Sequence, residues 1–499
     1  MYFKNLFSNL GVFLSADIDN SQTTSVLSDL ANELQPVSTV FSLSGLSNLV
    51  SVRSTDIMRA QSEKSSTIKI RHIFAEEIKA ASDGNIIIPH YSPNANAQQE
   101  VYVYDGMRWS LVDLQEYQDA LKSCAPVIGI PEEYQTNSTF FKALSEDVSH
   151  TLSKSMKRSV PKDEVWINMQ NGTLKITSRG EVRLDPHSRE DYFHYYLPYD
   201  YNQEAQCPKW QTFLDQVLPD IDSQKVLQEY LGTCFIKSKV RIEKMLVMTG
   251  EGSNGKSVVI NVIRAVLGDE NVADIPLEQL TTKDETRRMA EHKLMVLSQE
   301  MGLKIDTAVL KNYVSCDPIL IRTLYKGTRQ MTEYGKLLCS CNKLPQPEQT
   351  YGYFRRWLLL PFEQTFEGKQ ADPNLTEKLK EELPGIMNWI IEGLNRFLAQ
   401  DYHFTVSDVC DQALEKYRKS ADSVAMFYDE CCELSPDAPT KGMDLFASYR
   451  AYCLANELKP EGRNKFFERL EKISKVKPQY PGNVKFFAIR VKNEFHVKS

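Results

Sequence analysis

The sequence predicts an α/β fold built on a phosphate-binding loop, with an α+β region before it, a helical collar leading into it and a winged helix at the C-terminal end. Three observations carry this. The apolar run Met245–Thr249 leads directly into Gly250-Glu251-Gly252-Ser253-Asn254-Gly255-Lys256-Ser257, which fits G-x-x-x-x-G-K-[ST]; Val258, Val259, Val262, Ile263, Val266 and Leu267 then fall at helical spacing, with Gly268 placed to end the helix. Two more apolar strands follow, over residues 294–300 and 336–341. Upstream, Asp105-Gly106 and Asn171-Gly172 each separate two short strand-like runs, the signature of hairpins.

At 499 residues the chain has room for about two to four domains, each with its own core. A formal net charge of −7 argues against a uniformly basic nucleic-acid coat but leaves room for a local basic patch or channel. No apolar run is long enough to span a bilayer, so no membrane partner is expected. Residues 1–13 mix Lys4 with Asn and aromatic residues and do not read as a signal peptide. The ten cysteines include no Cys-x-x-Cys pair, so they read as reduced, mostly structural thiols in a cytosolic compartment rather than zinc ligands.

Taken in order, residues 1–65 read as an unassigned helical piece and linker without identifiable chemistry. Residues 66–203 read as an α+β domain, with helices over 68–81, 111–121 and 138–153, strands over 85–89 and 101–104, and a hairpin over 165–176. Its aromatic stretch, residues 191–201, could stack bases but reads first as packing. Residues 204–238 form the collar, marked by Phe213, Val217, Leu218, Val226, Leu227, Tyr230 and Leu231. Residues 239–400 form the nucleotide-hydrolase core, and residues 401–440 a helical linker with a proline-rich break at 435–439. Residues 441–499 read as the winged helix, with 484–491 pairing as a wing against Val476 or its neighbours. From residue 459 onward basic residues outnumber acidic ones, against the sign of the whole chain; Arg463, Lys465 and Arg469 make this a candidate DNA-binding unit.

The core carries the chemistry. Backbone N–H groups of the loop and the positive end of the following helix suit phosphate oxygens, and Gly250, Gly252 and Gly255 let the backbone turn and approach closely. Lys256 would reach the β- and γ-phosphates of ATP, and Ser257 would hold Mg²⁺. The second strand ends in Glu300, an acid that can orient the attacking water or help order Mg²⁺. A basic run follows, with Arg322, Tyr325, Lys326 and Arg329 around a turn, a candidate to touch a phosphate backbone. Asn342, at the end of the third strand, can sense the γ-phosphate. Arg355 and Arg356 precede the strand-like stretch at 358–362 and suit an arginine finger. The plain alternatives are a glycine turn, a surface glutamate and a solvated basic hairpin; strand, loop and helix in the right order weigh against them.

Together these residues resemble the superfamily-3 helicases, in the primase–helicase branch of satellite phages, phages, plasmids and poxviruses, over roughly residues 68–495. Gly250 to Ser257 match the phosphate loop of that family. Residues 294–300 match its acid-bearing strand. Lys311, Asp317, Arg322, Tyr325 and Lys326 match its channel hairpin motif. Asn342, followed by Pro345, matches the sensor, and Arg355 and Arg356 the finger region. Two positions depart: Cys316 stands where the family carries Gly, and Gln299 where it carries a second acid. No segment resembles the archaeo-eukaryotic primase domain, so a helicase without a primase is expected. The resemblance implies an AAA+-like P-loop core and a homo-hexameric ring around single-stranded DNA. It implies ATP and Mg²⁺ between subunits, with Arg356 favoured over Arg355 as the finger reaching the neighbour. It also implies action on forked DNA during replication of a mobile element, in the cytoplasm of a bacterial host, alongside a separate primase or polymerase. Two rivals are a DNA-stimulated ATPase switch and an origin-binding or loading protein whose winged helix is the working part.

Overall fold

A computed structural model describes residues 41–50, 54–62, 66–89, 100–236, 242–299, 301–302, 305–323, 327–345, 350–366, 372–420, 422–456, 458 and 460–492. The N-terminal unit contains α1 (Ser66–Ser82), β1 (Ile86–Ile87), β2 (Val101–Tyr104), β3 (Trp109–Val112), α2 (Leu114–Ile128) and α3 (Ser138–Thr151). β1, β2 and β3 pair antiparallel, and Asp105 Oδ1 closes the Asp-Gly turn by accepting from the N–H of Met107 (2.9 Å) and Arg108 (2.8 Å). The helix expected from 111 starts later, because Leu111 and Val112 complete β3 and the Asp113 side chain caps α2 through Gln115 N–H. Leu43, Leu46, Val50 and Ile57 are buried in one core with Ile70, Phe74 and Leu121. Described residues from 41 onward therefore belong to this unit, not to a linker; residues 1–40 lie outside the described residues.

A second antiparallel sheet, β4 (Glu164–Met169), β5 (Gly172–Thr177) and β6 (Val182–Asp185), follows the Asn-Gly signal. In the aromatic stretch after it, Phe193 and Tyr195 are buried edge to face, their centroids 5.3 Å apart. Packing thus takes these rings, and they share a core with the collar helices α4 (Pro208–Val217) and α5 (Ile221–Thr233).

The centre of the molecule is a five-stranded, fully parallel sheet. It is built from β7 (Met245–Thr249), β8 (Val272–Asp274), β9 (Met295–Ser298), β12 (Lys336–Cys341) and β13 (Trp357–Pro361), in the order β13-β7-β12-β9-β8. Its strands are buried on both faces and so read as continuous apolar runs rather than alternating ones. Helix α6 (Lys256–Leu267) follows β7, α7 (Leu277–Thr282) follows β8, and α8 (Thr307–Val314) follows β9. The hairpin β10 (Ile319–Thr323) and β11 (Gly327–Met331) projects before β12. After β13 come α9 (Leu375–Lys380), α10 (Leu383–Ala399) and α11 (Asp408–Ser420). Tyr417 of α11 is buried against Phe354 and Trp357, so the first half of the expected linker is part of the core.

The collar is tied to α10 by a buried ion pair. Glu229 of α5 is fully buried; it accepts from Arg396 Nε at 2.6 Å and from Thr405 N–H at 2.7 Å. Arg396→Ala should strip the cation and leave a carboxylate under cover, at a cost of about 3 kcal/mol. The check is the urea midpoint, with Arg396→Lys recovering part of the loss; an unmoved midpoint would show that the bridge contributes nothing.

The C-terminal unit holds three helices, α12 (Ser423–Cys431), α13 (Gly442–Ala455) and α14 (Arg463–Ser474), with the short strands β14 (Cys432–Leu434), β15 (Thr440–Lys441), β16 (Phe486–Phe487) and β17 (Ile489–Val491). Val424 and Phe427 of α12 share its core with Leu445, Tyr449 and Phe466, so the unit begins upstream of residue 441. Residues 484–491, expected to pair with Val476 or its neighbours, meet that stretch only at one bridge and otherwise pair elsewhere. β17 pairs with β14 and β16 with β15, and from the stretch after α14 comes the isolated bridge Gln479–Phe486. Among the described residues no helix is long and apolar enough to cross a membrane, and all ten cysteines are free of disulfides.

Candidate functional site

The phosphate-type loop leaves the C-terminal end of β7, the edge where parallel α/β sheets hold ligands. Its glycines differ in what they must do. Gly250 has φ +148°, and a Cβ there would lie 2.2 Å from Phe362 O and 2.4 Å from Asn254 Nδ2. Gly255, with φ +87°, leaves no room against Val217 Cγ1, 2.6 Å from a Cβ. Gly252 carries no such demand, since a Cβ there would meet nothing within 4 Å. The loop is held from outside, by Asn254 Nδ2 donating to Phe362 O at 3.1 Å and Phe366 N–H donating to Ser253 O at 2.8 Å. Lys256 opens α6; its ammonium donates to Gly250 O, to Glu251 O at 3.3 Å and to Asn254 Oδ1 at 3.0 Å. Burial pulls its pKa below the ordinary lysine value.

Above the N-terminus of α6 lies a cavity of about 430 Å³ with two kinds of wall. Ser257, Gln299, Ser340 and Asn342 make one polar; Phe213 and Val217 of the collar, with Phe366 and Leu375, make the other apolar. Sheet register explains the polar side. Cys341 lies opposite Thr249, so Asn342 comes level with the start of the loop, and Ser298 lies opposite Cys339, which brings Gln299 to the same edge. Glu300 lies outside the described residues. The sequence assigned Phe213 and Val217 to packing and did not single out Phe366 or Leu375, because an apolar side chain gives no local sign that it faces a cavity.

Arg355 and Arg356 sit at the opposite end of the sheet. Arg356 O accepts from Met245 N–H at 2.9 Å, and five residues of strand, roughly 17 Å, separate that point from Gly250. Arg356, the residue favoured from sequence, is 14% exposed. Its guanidinium donates to Ser315 Oγ at 2.9 and 3.2 Å and to Gly352 O. Arg355 is 44% exposed and pairs with Glu243.

Before the hairpin, α8 ends in a tight turn in which Cys316 N–H donates to Tyr313 O and Asp317 N–H to Asn312 O. Cys316 has φ +56°, so the turn keeps a left-handed backbone although the side chain is not glycine. Lys311 lies on α8 and Asp317 just after this turn, so neither stands on the hairpin strands. In the hairpin Arg322 is opposite Thr328 and Ile321 opposite Arg329. Side chains alternate along a strand, so Arg322 shares the outward face with exposed Leu320, while Arg329 shares the inward face with buried Ile319, Ile321 and Met331. Arg329 is bound to Glu291 and Glu100, which removes it from the exposed set expected from sequence. Tyr325 and Lys326 lie outside the described residues.

In the C-terminal unit Arg463 and Lys465 are exposed in the first turn of α14. Arg469, also exposed, is in addition paired with Asp422, the N-cap of α12, at 2.6 and 2.7 Å.

Three family models match separate stretches of the chain. A "D5 N terminal like" model matches residues 91–219, a "family of unknown function (DUF5906)" residues 248–356, and a "Poxvirus D5 protein-like" model residues 419–498. D5-type stretches thus flank the phosphate-loop core on both sides. Among curated proteins, "Putative helicase L207/L206" of Acanthamoeba polyphaga mimivirus is 26% identical over 278 residues, 49% of this chain and 28% of that protein. "Putative primase C962R" of African swine fever virus (isolate Tick/Malawi/Lil 20-1/1983) is 23% identical over 304 residues, 55% of this chain and 31% of that protein. The chain therefore matches less than a third of the length of these relatives. The solved "apo structure of NrS-1 C terminal region" aligns with 83% of this chain and 98% of its own at 9% identity, with a TM-score of 0.44.

Proposed function

We propose that this chain is an ATP-driven DNA helicase of the superfamily-3, AAA+-like type, a ring-forming motor for replicating a virus or other mobile element. One observation carries the reading most: a parallel sheet in which β12 lies between the loop-bearing strand β7 and β9, so that Asn342 stands beside the phosphate loop. The viral relatives, one named a helicase and one a primase, point to the same process.

The residues fit ATP. The loop excludes side chains where backbone must meet phosphate, Lys256 supplies a cation, and the apolar wall of Phe213, Val217, Phe366 and Leu375 suits a base. Mg²⁺ would sit on Ser257, and when bound it spreads the phosphate charge. Lys256 stabilises charge on the transferred phosphoryl group, Glu300 orients the water and Asn342 senses the γ-phosphate. An arginine comes from the next subunit of a hexamer. The greater exposure of Arg355, and the bracing of Arg356 on Ser315, support Arg355 as that arginine.

Strand displacement on a forked duplex tests the proposal. ATP-dependent unwinding supports it, turnover without unwinding supports a switch, and tight origin binding with weak turnover supports a loader. Arg322, on the outward hairpin face, should contact the DNA backbone. Arg322→Ala should weaken single-strand binding and make its salt dependence shallower by about 0.7 in log–log slope, one phosphate contact. Unchanged affinity and slope would remove Arg322 from the interface.

A further inference from the structure

The geometry points to Arg329 as a positioning residue, the pin through which the N-terminal α+β unit holds the β10–β11 hairpin in place by way of Glu100. The inference rests on the hairpin being the DNA-contacting element.

Three carboxylate contacts converge on one guanidinium. Arg329 Nη1 and Nη2 each lie 2.6 Å from an oxygen of Glu291, a bidentate pair, and Nη2 lies 2.7 Å from Glu100 Oε1. Glu291 belongs to the core, two residues before the short run that leads into β9. Glu100 belongs to the N-terminal unit, immediately before β2. Bidentate, charge-assisted pairs of this kind are directional as well as strong, so they fix the orientation of the strand that bears the arginine.

The surroundings make the same join. Tyr102 of β2 places its hydroxyl 3.2 Å from His292 Nε2, and the His194 and His292 rings lie 4.0 Å apart at 31°. His292 N–H donates to Glu333 O at 3.1 Å, just past the end of β11. Residues 291–292 are thus held by the N-terminal unit on one side and, on the other, by the middle of β11 at Arg329 and by Glu333 just past its end. Burial works against the charge of Arg329, yet the hydrogen bonds and charge of Glu291, and then the charge of Glu100, outweigh it and hold the guanidinium above its ordinary pKa.

This arrangement is unsuited to gripping a phosphate. Arg329 shares its face with Ile319, Ile321 and Met331, and a phosphate approaching it would meet two carboxylates at once. Its effect on DNA would pass through the placement of Arg322 on the opposite face. The N-terminal unit then has a physical hold on the element that tracks DNA, through one side chain.

Hydrogen exchange on the full-length chain without DNA tests the pin. Glu100→Gln keeps the shape and removes the charge; amides of residues 319–331 should exchange on the order of tenfold faster, as the loss of charge assistance from one hydrogen bond implies. Glu116→Gln, an exposed acid on α2, should leave them unchanged. Arg329→Gln should lower single-strand DNA affinity with no change in salt slope, and adding Glu100→Gln should change little beyond Arg329→Gln alone, which already removes the contact. Unchanged hairpin exchange in Glu100→Gln would overturn the inference. So would a slope about 0.7 shallower in Arg329→Gln together with tighter binding in Glu100→Gln, the pattern of a phosphate contact freed from a competitor. Wild-type protein that binds no DNA would sink the proposed function, while the exchange experiment still decides the pin.

Discussion

Lys256→Ala should lower ATP turnover by on the order of 10³-fold, the loss expected when a fixed charge-stabilising group is removed from a nucleotide site. The ammonium stands at the first residue of α6, among Gly250 O, Glu251 O and Asn254 Oδ1, so it already lies where the loop would surround phosphate. Alanine keeps the helix start and the glycine geometry on either side, and the deficit should therefore appear in kcat more than in the fold. Steady-state hydrolysis, with nucleotide binding measured separately, gives the answer. Turnover near that of the wild type would remove this loop from the chemistry.

The second large effect concerns the adjacent arginines. Neither can serve the loop of its own chain, since both lie at the end of the sheet remote from Gly250, next to Met245. Arg355→Ala should lose about 10³–10⁵-fold in rate, the usual contribution of an arginine finger. Mixed with Lys256→Ala protein, it should regain part of that activity, because some interfaces then pair an intact loop with an intact arginine. Arg356→Ala is expected to behave differently. It removes the brace on Ser315, loosens the link between β13 and the end of α8, and should not be rescued by mixing. Rescue of Arg356→Ala but not of Arg355→Ala would reverse the assignment and restore the reading made from sequence.

What was legible in the sequence was local. The strand, glycine loop and helix over 245–267 are legible because they are contiguous, and the two early hairpins because their turn dipeptides sit between the strands they join. The partners that decide a side chain's role lie far along the chain. Glu100 stands 229 residues from Arg329 and Asp422 stands 47 from Arg469, so both arginines looked like free cations. The pairing of residues 484–491 is not legible locally, because strands of two or three residues show no periodicity and two of the partners, β14 and β15, precede α13 and α14. The opposite faces of Arg322 and Arg329 follow only from the hairpin register, which sets Ile321 across from Arg329 and Thr328 across from Arg322. Gly252 was grouped with its neighbours by motif, though only Gly250 and Gly255 are held to their role by close contacts.

The cavity above α6 draws its apolar wall from two places outside the sheet: the collar, through Phe213 and Val217, and α9, through Leu375. A nucleotide filling it would act as a removable cross-link between segments more than 150 residues apart in sequence. Thermodynamic linkage then gives the bound state about 2.7 kcal/mol of extra stability at a hundredfold excess over Kd. Part of that stabilisation would be felt at the collar–α9 junction, which would loosen when product leaves. The melting temperature of the full-length chain should therefore rise with nucleotide concentration, and Phe213→Ala should flatten that rise even where the phosphate loop is intact.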